Sequence, residues 1–280
     1  MSTICPICLA QDSRRLFTVD GYDIHVCRAC TGGFAEPRGR MIDVGEIYDS
    51  AYFEEYHASP MEGPEFAAFR YHRIRRQVDS LLRSNAEELP LRVLDIGCAS
   101  GYFLSLFDRD GWECTGVEVS EAAIQFSRSQ LGLRILEGDF LEVSLSESRF
   151  DLITMFHVIE HFREPRTAVT KALDLLDEGG ILFVETPNWN GIGALLMGPR
   201  WSHYIPPEHL NYFGPRSLRR MLREQGFNDV SIATYTPPIL EGVGKLPRAL
   251  RGFAHTAYNV SALVGLGASL QAMAIHPLGP

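Results

Sequence analysis

Four of the six cysteines fall into two pairs, Cys5-Pro-Ile-Cys8 and Cys27-Arg-Ala-Cys30, with eighteen residues between the pairs. Two cysteines three apart on a tight turn present both thiolates to one ion. A second such pair completes a tetrahedron and leaves no position for water. The spacing predicts a structural Zn2+ site ligated by Cys5, Cys8, Cys27 and Cys30, with no hydrolytic role. Two disulfides, or a redox or vestigial role, are the competing readings. The N-terminal stretch MSTICPICLAQDSRR has no basic segment followed by an apolar one. It therefore does not read as a secretory signal, and the chain is expected to be cytoplasmic, where disulfides are rare. Cys98 and Cys114 stand apart from these pairs.

A second group of residues is built around Val93-Leu94-Asp95-Ile96-Gly97-Cys98-Ala99-Ser100-Gly101-Tyr102-Phe103. An apolar strand ends in an acidic residue and passes through a glycine-rich turn into a helix. Glycine there allows dihedrals closed to other residues and lets backbone approach a ligand. The first turn of the following helix aims unpaired N–H groups at whatever sits above the strand end. Glu118 closes the next strand about twenty residues on, where a carboxylate accepts both hydroxyls of a ribose. The turn is not the Gly-x-Gly-x-x-Gly of dinucleotide enzymes. Asp95 would also repel a pyrophosphate.

The segment LDIGCASGYF resembles the first motif of the class I S-adenosylmethionine-dependent methyltransferases, with Ala99 where that family usually has a middle glycine. The resemblance implies a Rossmann-like, doubly wound, mainly parallel α/β sheet with S-adenosyl-L-methionine above its switch point. It assigns Asp95, Gly97, Cys98, Ala99, Gly101, Tyr102 and Phe103 to the cofactor loop, and Glu118 with Val119 to the ribose. Asp139 is placed against the adenine amino group with Phe140 beside the base, and Phe156 and His157 flank the cofactor after the fourth strand. A sulfonium and an ammonium beside one carboxylate suit a pocket lined by Asp95 and Glu118.

Methyl transfer to a hydroxyl needs alignment, exclusion of water and a proton acceptor. His157 stands at the end of the fourth strand, followed one turn later by Glu160 and His161. Further on, Trp201 to Phe213 (WSHYIPPEHLNYF) is rich in aromatics, His and Pro and reads as an irregular acceptor lid. His157, His161, Tyr204 and His209 are the candidate catalytic residues, each with a structural hydrogen bond as its alternative role. A similar PPEH segment occurs in methyltransferases of polysaccharide and natural-product pathways. The expected acceptor is therefore a small molecule carrying a hydroxyl, a sugar or secondary metabolite.

These residues must be positioned by regular elements. Apolar runs at Arg92–Ile96, Glu113–Val119, Arg134–Glu137, Phe150–Phe156 and Gly180–Thr186 alternate with helical patterns at Tyr102–Asp110, Glu121–Leu131 and Pro165–Leu176. Such alternation means right-handed βαβ units and a parallel sheet covered on both faces. Gly179-Gly180 is expected to end the third helix, and Asp229–Tyr235 and Ser269–Ile275 are expected as further strands. The chain divides into a zinc module at 1–37, a Pro/Gly-rich connector at 38–64 with Tyr48, Tyr52, Phe53 and Tyr56, and a methyltransferase domain at 65–280. Within the last lie the lid at about 190–215 and a helical insertion at about 239–265. The insertion reads as a lid, a homodimer contact or a membrane-surface contact. Arg70, Arg73, Arg75, Arg76 and Arg83 on a helix from Glu65 to Arg83 read as a solvated basic face or as a site for a phosphate-bearing ligand.

The 26 basic and 35 acidic residues leave a formal charge of −9, a field that opposes sequence-independent binding to nucleic acid. From Phe253 to Pro280 there is no Asp, Glu, Lys or Arg, but glycines, polar residues and two histidines interrupt the run. No spanning helix is expected there. Two related readings remain beside the leading one. Sugar C-methyltransferases also resemble this architecture, with cysteines before the cofactor domain, though their longer C-terminal domain has no counterpart in this sequence. An RNA- or protein-modifying enzyme could use the zinc module for recognition. A non-catalytic scaffold would keep the fold but has no reason to keep every cofactor carboxylate.

Overall fold

The computed structural model describes residues 3–39, 63–82, 90–145, 149–237, 256 and 260–279. The aromatic connector and most of the anticipated helical insertion lie outside the described residues. The chain opens with strands β1 (Ser13–Val19), β2 (Tyr22–Cys27) and β3 (Gly33–Pro37). Helix α1 (Pro64–Leu82) precedes β4 (Arg92–Ile96), α2 (Tyr102–Arg109), β5 (Glu113–Glu118), α3 (Glu121–Leu131) and β6 (Ile135–Glu137). Then follow β7 (Phe150–Phe156), α4 (Pro165–Leu175), β8 (Leu176–Pro187) and α5 (Ile192–Met197). The last elements are β9 (Asn211–Tyr212), α6 (Pro215–Glu224), β10 (Asp229–Tyr235) and β11 (Ser269–Ile275).

Seven strands form one sheet in the order β10-β11-β8-β7-β4-β5-β6. The five from β8 to β6 run parallel, β11 is antiparallel to β8, and β10 is antiparallel to β11. Adjacent residues in the central strands serve opposite faces, as the pleat requires. Val93, Leu152, Ile181 and Phe183 join a core with α1 and α2, including Ile74, Val78, Leu104 and Phe107. Leu94, Ile153, Leu182 and Val184 join the other core with α4 and α6, including Val169, Leu218 and Met221. The chain leaves β4 toward β5 on one side and returns through β7 on the other. The resulting switch point puts a crevice at the carboxyl ends of β4 and β7.

The N-terminal strands form a second sheet that a strand from later in the chain completes. β9 pairs antiparallel with β3 and extends it to four strands, ordered β1-β2-β3-β9. Cys5, Cys8, Cys27, Cys30, Ile7 and Phe34 share one core with Phe213, Leu218 and Met221. Gly33 must lack a side chain because a Cβ there would lie 2.5 Å from the Trp189 ring.

Three expectations need correction. Gly179-Gly180 does not end α4. The helix stops at Leu175 and β8 starts at Leu176, so the glycines lie inside the strand. Gly180 is required there, since a Cβ would sit 2.8 Å from the Asp177 carbonyl and 3.0 Å from that of Phe150. The stretch Trp201 to Phe213 is not irregular throughout, because it ends in β9, and α5 and a 3-10 turn at Gly198–Arg200 precede it. Finally, the arginines of α1 are not all solvated. Arg70 is buried, and Arg73 packs its guanidinium 3.4 Å from the centre of the Tyr235 ring. A long arginine stem crosses apolar surface at little cost when an acceptor waits at its far end.

Candidate active site

The turn after β4 is built from left-handed backbone at Gly97 (φ 66°), Ala99 (φ 45°) and Gly101 (φ 75°). Gly101 caps α2 without a side-chain hydrogen bond, which leaves the helix's first N–H groups directed at the crevice. Gly97 and Cys98 both donate to the Val117 carbonyl, at 2.8 and 3.2 Å, so the turn is anchored on β5. The Cys98 thiol packs where a Cβ on Gly116 would lie, 2.6 Å away. Burial and the nearby Glu118 and Asp95 carboxylates hold that thiol well above its ordinary pKa. Cys98 is therefore an inert packing group whose backbone shapes the turn.

Glu118 is buried at the end of β5. Its carboxylate accepts N–H groups from Ala99 at 2.9 Å, Val119 at 2.8 Å and Ser120 at 2.9 Å. A carboxylate has about four acceptor sites, so at least one remains toward the crevice, where the buried Ser120 hydroxyl also lacks a partner. Asp95 is buried and accepts the Thr154 hydroxyl at 2.6 Å. Asp139 accepts the Leu141 N–H at 2.7 Å and shapes the turn after β6. The Phe140 ring is buried beneath the Lys171 ammonium, 5.0 Å from the ring centre. Phe103 and Phe156 meet edge to face at 4.6 Å, while Tyr102 contacts Phe126 at 5.6 Å. These side chains fit a ribose, a purine and a cationic sulfur. The glycines give close backbone approach, and the flanking carboxylates suit positive charge.

The segment after β7 abuts this turn, since a Cβ on Gly97 would meet the Val158 side chain at 2.5 Å. His157 sits in left-handed backbone (φ 54°), unusual for a non-glycine residue and a form of strain that gathers at functional sites. Its N–H donates to the Glu185 carbonyl at 2.8 Å. Its ring lies between two buried carboxylates, Nδ1 3.4 Å from Glu160 and Nε2 3.5 Å from Glu185. Burial alone would lower its pKa, but those two anions outweigh it and raise the group to about 9. Glu160 shows the converse: burial favours the neutral acid, yet His157, His161 and His209 hold it down to about 2. His209 contacts the His161 ring at 4.9 Å and stacks on His203 at 5.7 Å. Burial depresses both, His209 well below the usual histidine range and His203 to about 4. The Tyr204 ring is spent elsewhere, packing on Phe17 at 5.0 Å, Tyr212 at 5.1 Å and Trp201 at 5.2 Å. Burial raises its hydroxyl to about 12.

The family model described as "Methyltransferase domain" matches residues 66–232. The chain belongs to this methyltransferase family. A ubiquinone biosynthesis O-methyltransferase of Thiobacillus denitrificans is 28% identical over 164 residues, covering 52% of this chain and 69% of the relative. A SAM-dependent methyltransferase from Archaeoglobus fulgidus has the same fold at TM-score 0.58 and 21% identity, covering 80% of this chain and 99% of that one. A phosphoethanolamine N-methyltransferase of Haemonchus contortus, solved in complex with S-adenosyl-L-methionine, superposes at TM-score 0.53 and 13% identity. It covers 95% of this chain and 71% of that one. The protein is a SAM-dependent methyltransferase.

Two features of the methyltransferase escaped the sequence. Glu185 is fully buried and gathers the Tyr235 hydroxyl at 2.8 Å, the Gln271 amide at 2.7 Å and the Arg70 guanidinium at 3.3 Å. The available signal was a lone acid inside the apolar run Ile181–Pro187, since an unpaired buried charge is not tolerated. His203, one residue before Tyr204, was the other. Nothing separates it from an ordinary loop histidine before the chain is folded.

The four N-terminal thiols lie together, all buried, with every Sγ within 4.8 Å of the others. Cys5 and Cys30 are 3.8 Å apart and Cys8 and Cys27 3.6 Å. These separations are too long for an S–S bond of about 2.05 Å. They match the edge of a tetrahedron with Zn–S of about 2.3 Å, roughly 3.8 Å. Burial and crowding raise Cys8 to about 11 and push Cys30 up as well. Thiolates so placed need a cation. Two guanidiniums stand beside them: Arg220 donates to the Ala29 carbonyl at 3.1 Å and Arg166 to that of Ile7 at 3.2 Å. Among the described residues no helix is long and apolar enough to cross a membrane.

Proposed function

We propose that this methyltransferase acts on a hydroxyl of a small-molecule acceptor, a sugar or secondary metabolite, and that its four N-terminal cysteines hold one structural Zn2+. The observation carrying the acceptor reading is the position of His157. It is fixed between Glu160 and Glu185, and the next residue, Val158, packs against Gly97 of the turn assigned to the cofactor. S-adenosylmethionine, when bound, supplies a methyl group on a positively charged sulfur. Gly97, Ala99 and Gly101 give it backbone contact, Glu118 holds the ribose hydroxyls, and Asp139 faces the purine. A neutral alcohol is a weak nucleophile, so a group able to take its proton is wanted beside the acceptor oxygen. Glu160 and Glu185 fix the His157 ring and raise it to about 9, so it takes that proton only in its neutral fraction, which grows as pH rises toward that value. As the acceptor lid, the segment 201–213 excludes water; its His209 meets the His161 ring at 4.9 Å, and Tyr204 is held in aromatic packing with Phe17, Trp201 and Tyr212. The relative's name specifies O-methylation, which supports an oxygen acceptor here. The test is a screen of hydroxylated metabolites with S-adenosylmethionine, read by intact mass for the gain of one methylene. Carbon or nitrogen methylation in that screen would replace this reading, and methylation of RNA alone would remove it.

A further inference from the structure

Glu160, His161 and His209 each bring one ligand-capable atom to within 4.8 Å of the others. Glu160 is 1% exposed, and neither of its carboxylate oxygens has a hydrogen-bond partner. A buried anion left that way is costly, and the His157 ring at 3.4 Å answers its charge without satisfying its acceptor sites. His209 Nδ1 lies 3.0 Å from the His203 carbonyl. A carbonyl only accepts, so Nδ1 carries the proton and Nε2 keeps the lone pair. This is how an outer contact prepares a histidine to ligate. The two chain segments are already joined, because Leu210 and Asn211 donate to the Glu160 carbonyl at 2.9 and 3.0 Å.

We propose that Glu160, His161 and His209 bind a divalent first-row transition-metal ion, distinct from the thiolate site, and that this ion takes the acceptor hydroxyl at an open coordination position. Two imidazoles and one carboxylate suit Zn2+, Mn2+, Fe2+ or Co2+ better than Ca2+. Nitrogen and oxygen donors at about 2.0–2.2 Å need mutual separations of roughly 3–3.5 Å, which small ring rotations reach from the present arrangement. Three protein ligands leave room for substrate. A hydroxyl bound to the ion gives up its O–H proton more readily, to neutral His157 or to solvent, leaving the oxygen lone pair that a methyl acceptor needs. The role given to the ion rests on the oxygen-acceptor reading above, whereas its binding does not.

Mn2+ separates the two sites, since it is ill suited to thiolates. The tag-free full chain, with zinc in its thiolate site, is titrated with Mn2+ and followed by electron paramagnetic resonance. The expected result is one Mn2+ per chain, with affinity at least tenfold weaker in both Glu160→Gln and His209→Ala. Spin-echo spectra of Mn2+ on the unaltered protein, which do not depend on how the variants fold, should show nitrogen couplings from two imidazoles. Absence of binding up to millimolar Mn2+, equal affinity in both variants, or absence of imidazole coupling overturns the site. A protein that binds the ion but methylates no hydroxyl compound would instead defeat the oxygen-acceptor reading and leave the site standing.

Discussion

Phe34 of β3 and Asn211 of β9 stand opposite each other in an antiparallel ladder, and this pairing joins the cysteine-bearing strands to the segment that carries His209. Phe34 lies four residues after Cys30, and Asn211 two residues after His209. The Asn211 amide also donates to the Phe162 carbonyl at 2.6 Å, tying the same strand to the segment after β7. The cysteine cluster is thus braced against the two chain segments that carry His209 and His161.

Metal analysis of the purified protein should find zinc in the thiolate site. Its removal by chelation should speed amide exchange over 209–213, because β9 loses the partner that β3 offers. A zinc content near zero, or exchange unchanged by chelation, goes against the coupling.

Glu118→Ala should weaken S-adenosylmethionine binding at least tenfold by calorimetry, about 1.4 kcal/mol. The carboxylate also gathers three backbone N–H groups of the turn, so the loss includes disordering of the cradle. Unchanged affinity would mean that the ribose lies elsewhere.

His157→Ala should lower kcat by about 10²-fold or more with little change in cofactor affinity, the size of an acid–base contribution. Steady-state kinetics with the identified acceptor decide it. A variant with full turnover removes His157 from the reaction.

Glu185 gives a stability test with a defined sign. Burial would raise its pKa, but Arg70, His157 and Gln271 hold it well below the ordinary carboxylate range. A carboxyl depressed on folding stabilises fully above its unfolded value of about 4.3 and loses that contribution as pH falls toward the folded value. Glu185→Gln should therefore be less stable at pH 7 by about 3 kcal/mol, since Arg70 is left without its anion. The deficit should shrink below about pH 4, where the parent loses what the variant already lacks. Denaturant midpoints across pH measure it, and a constant deficit contradicts the account.

Ala99→Gly should raise stability by up to about 1 kcal/mol, because left-handed backbone costs an L-residue that much. The N–H bond from residue 99 to Glu118 is kept, so cofactor affinity should stay within about twofold. A fall in Tm would show that the alanine methyl contributes packing that outweighs the strain.

Local chemistry made much of this protein legible. The paired cysteines, the Asp95-to-Gly101 turn and Glu118 at the end of β5 are signals carried by residues near one another in the chain. The sheet strands show in the same way, because a buried parallel strand must be apolar on both faces, as Val93–Leu94 and Ile181–Val184 are. What tertiary structure alone decided is long-range. Arg70 reaches Glu185 across 115 residues, and a basic helix looks the same in sequence whether its arginines face water or a buried acid. β9 is two residues long, too short for any periodicity, and exists only because β3 offers it an edge. The meeting of Glu160, His161 and His209 depends on the fold returning two segments to one wall. No local preference encodes that, because the energy that specifies it is released only when distant surfaces pack.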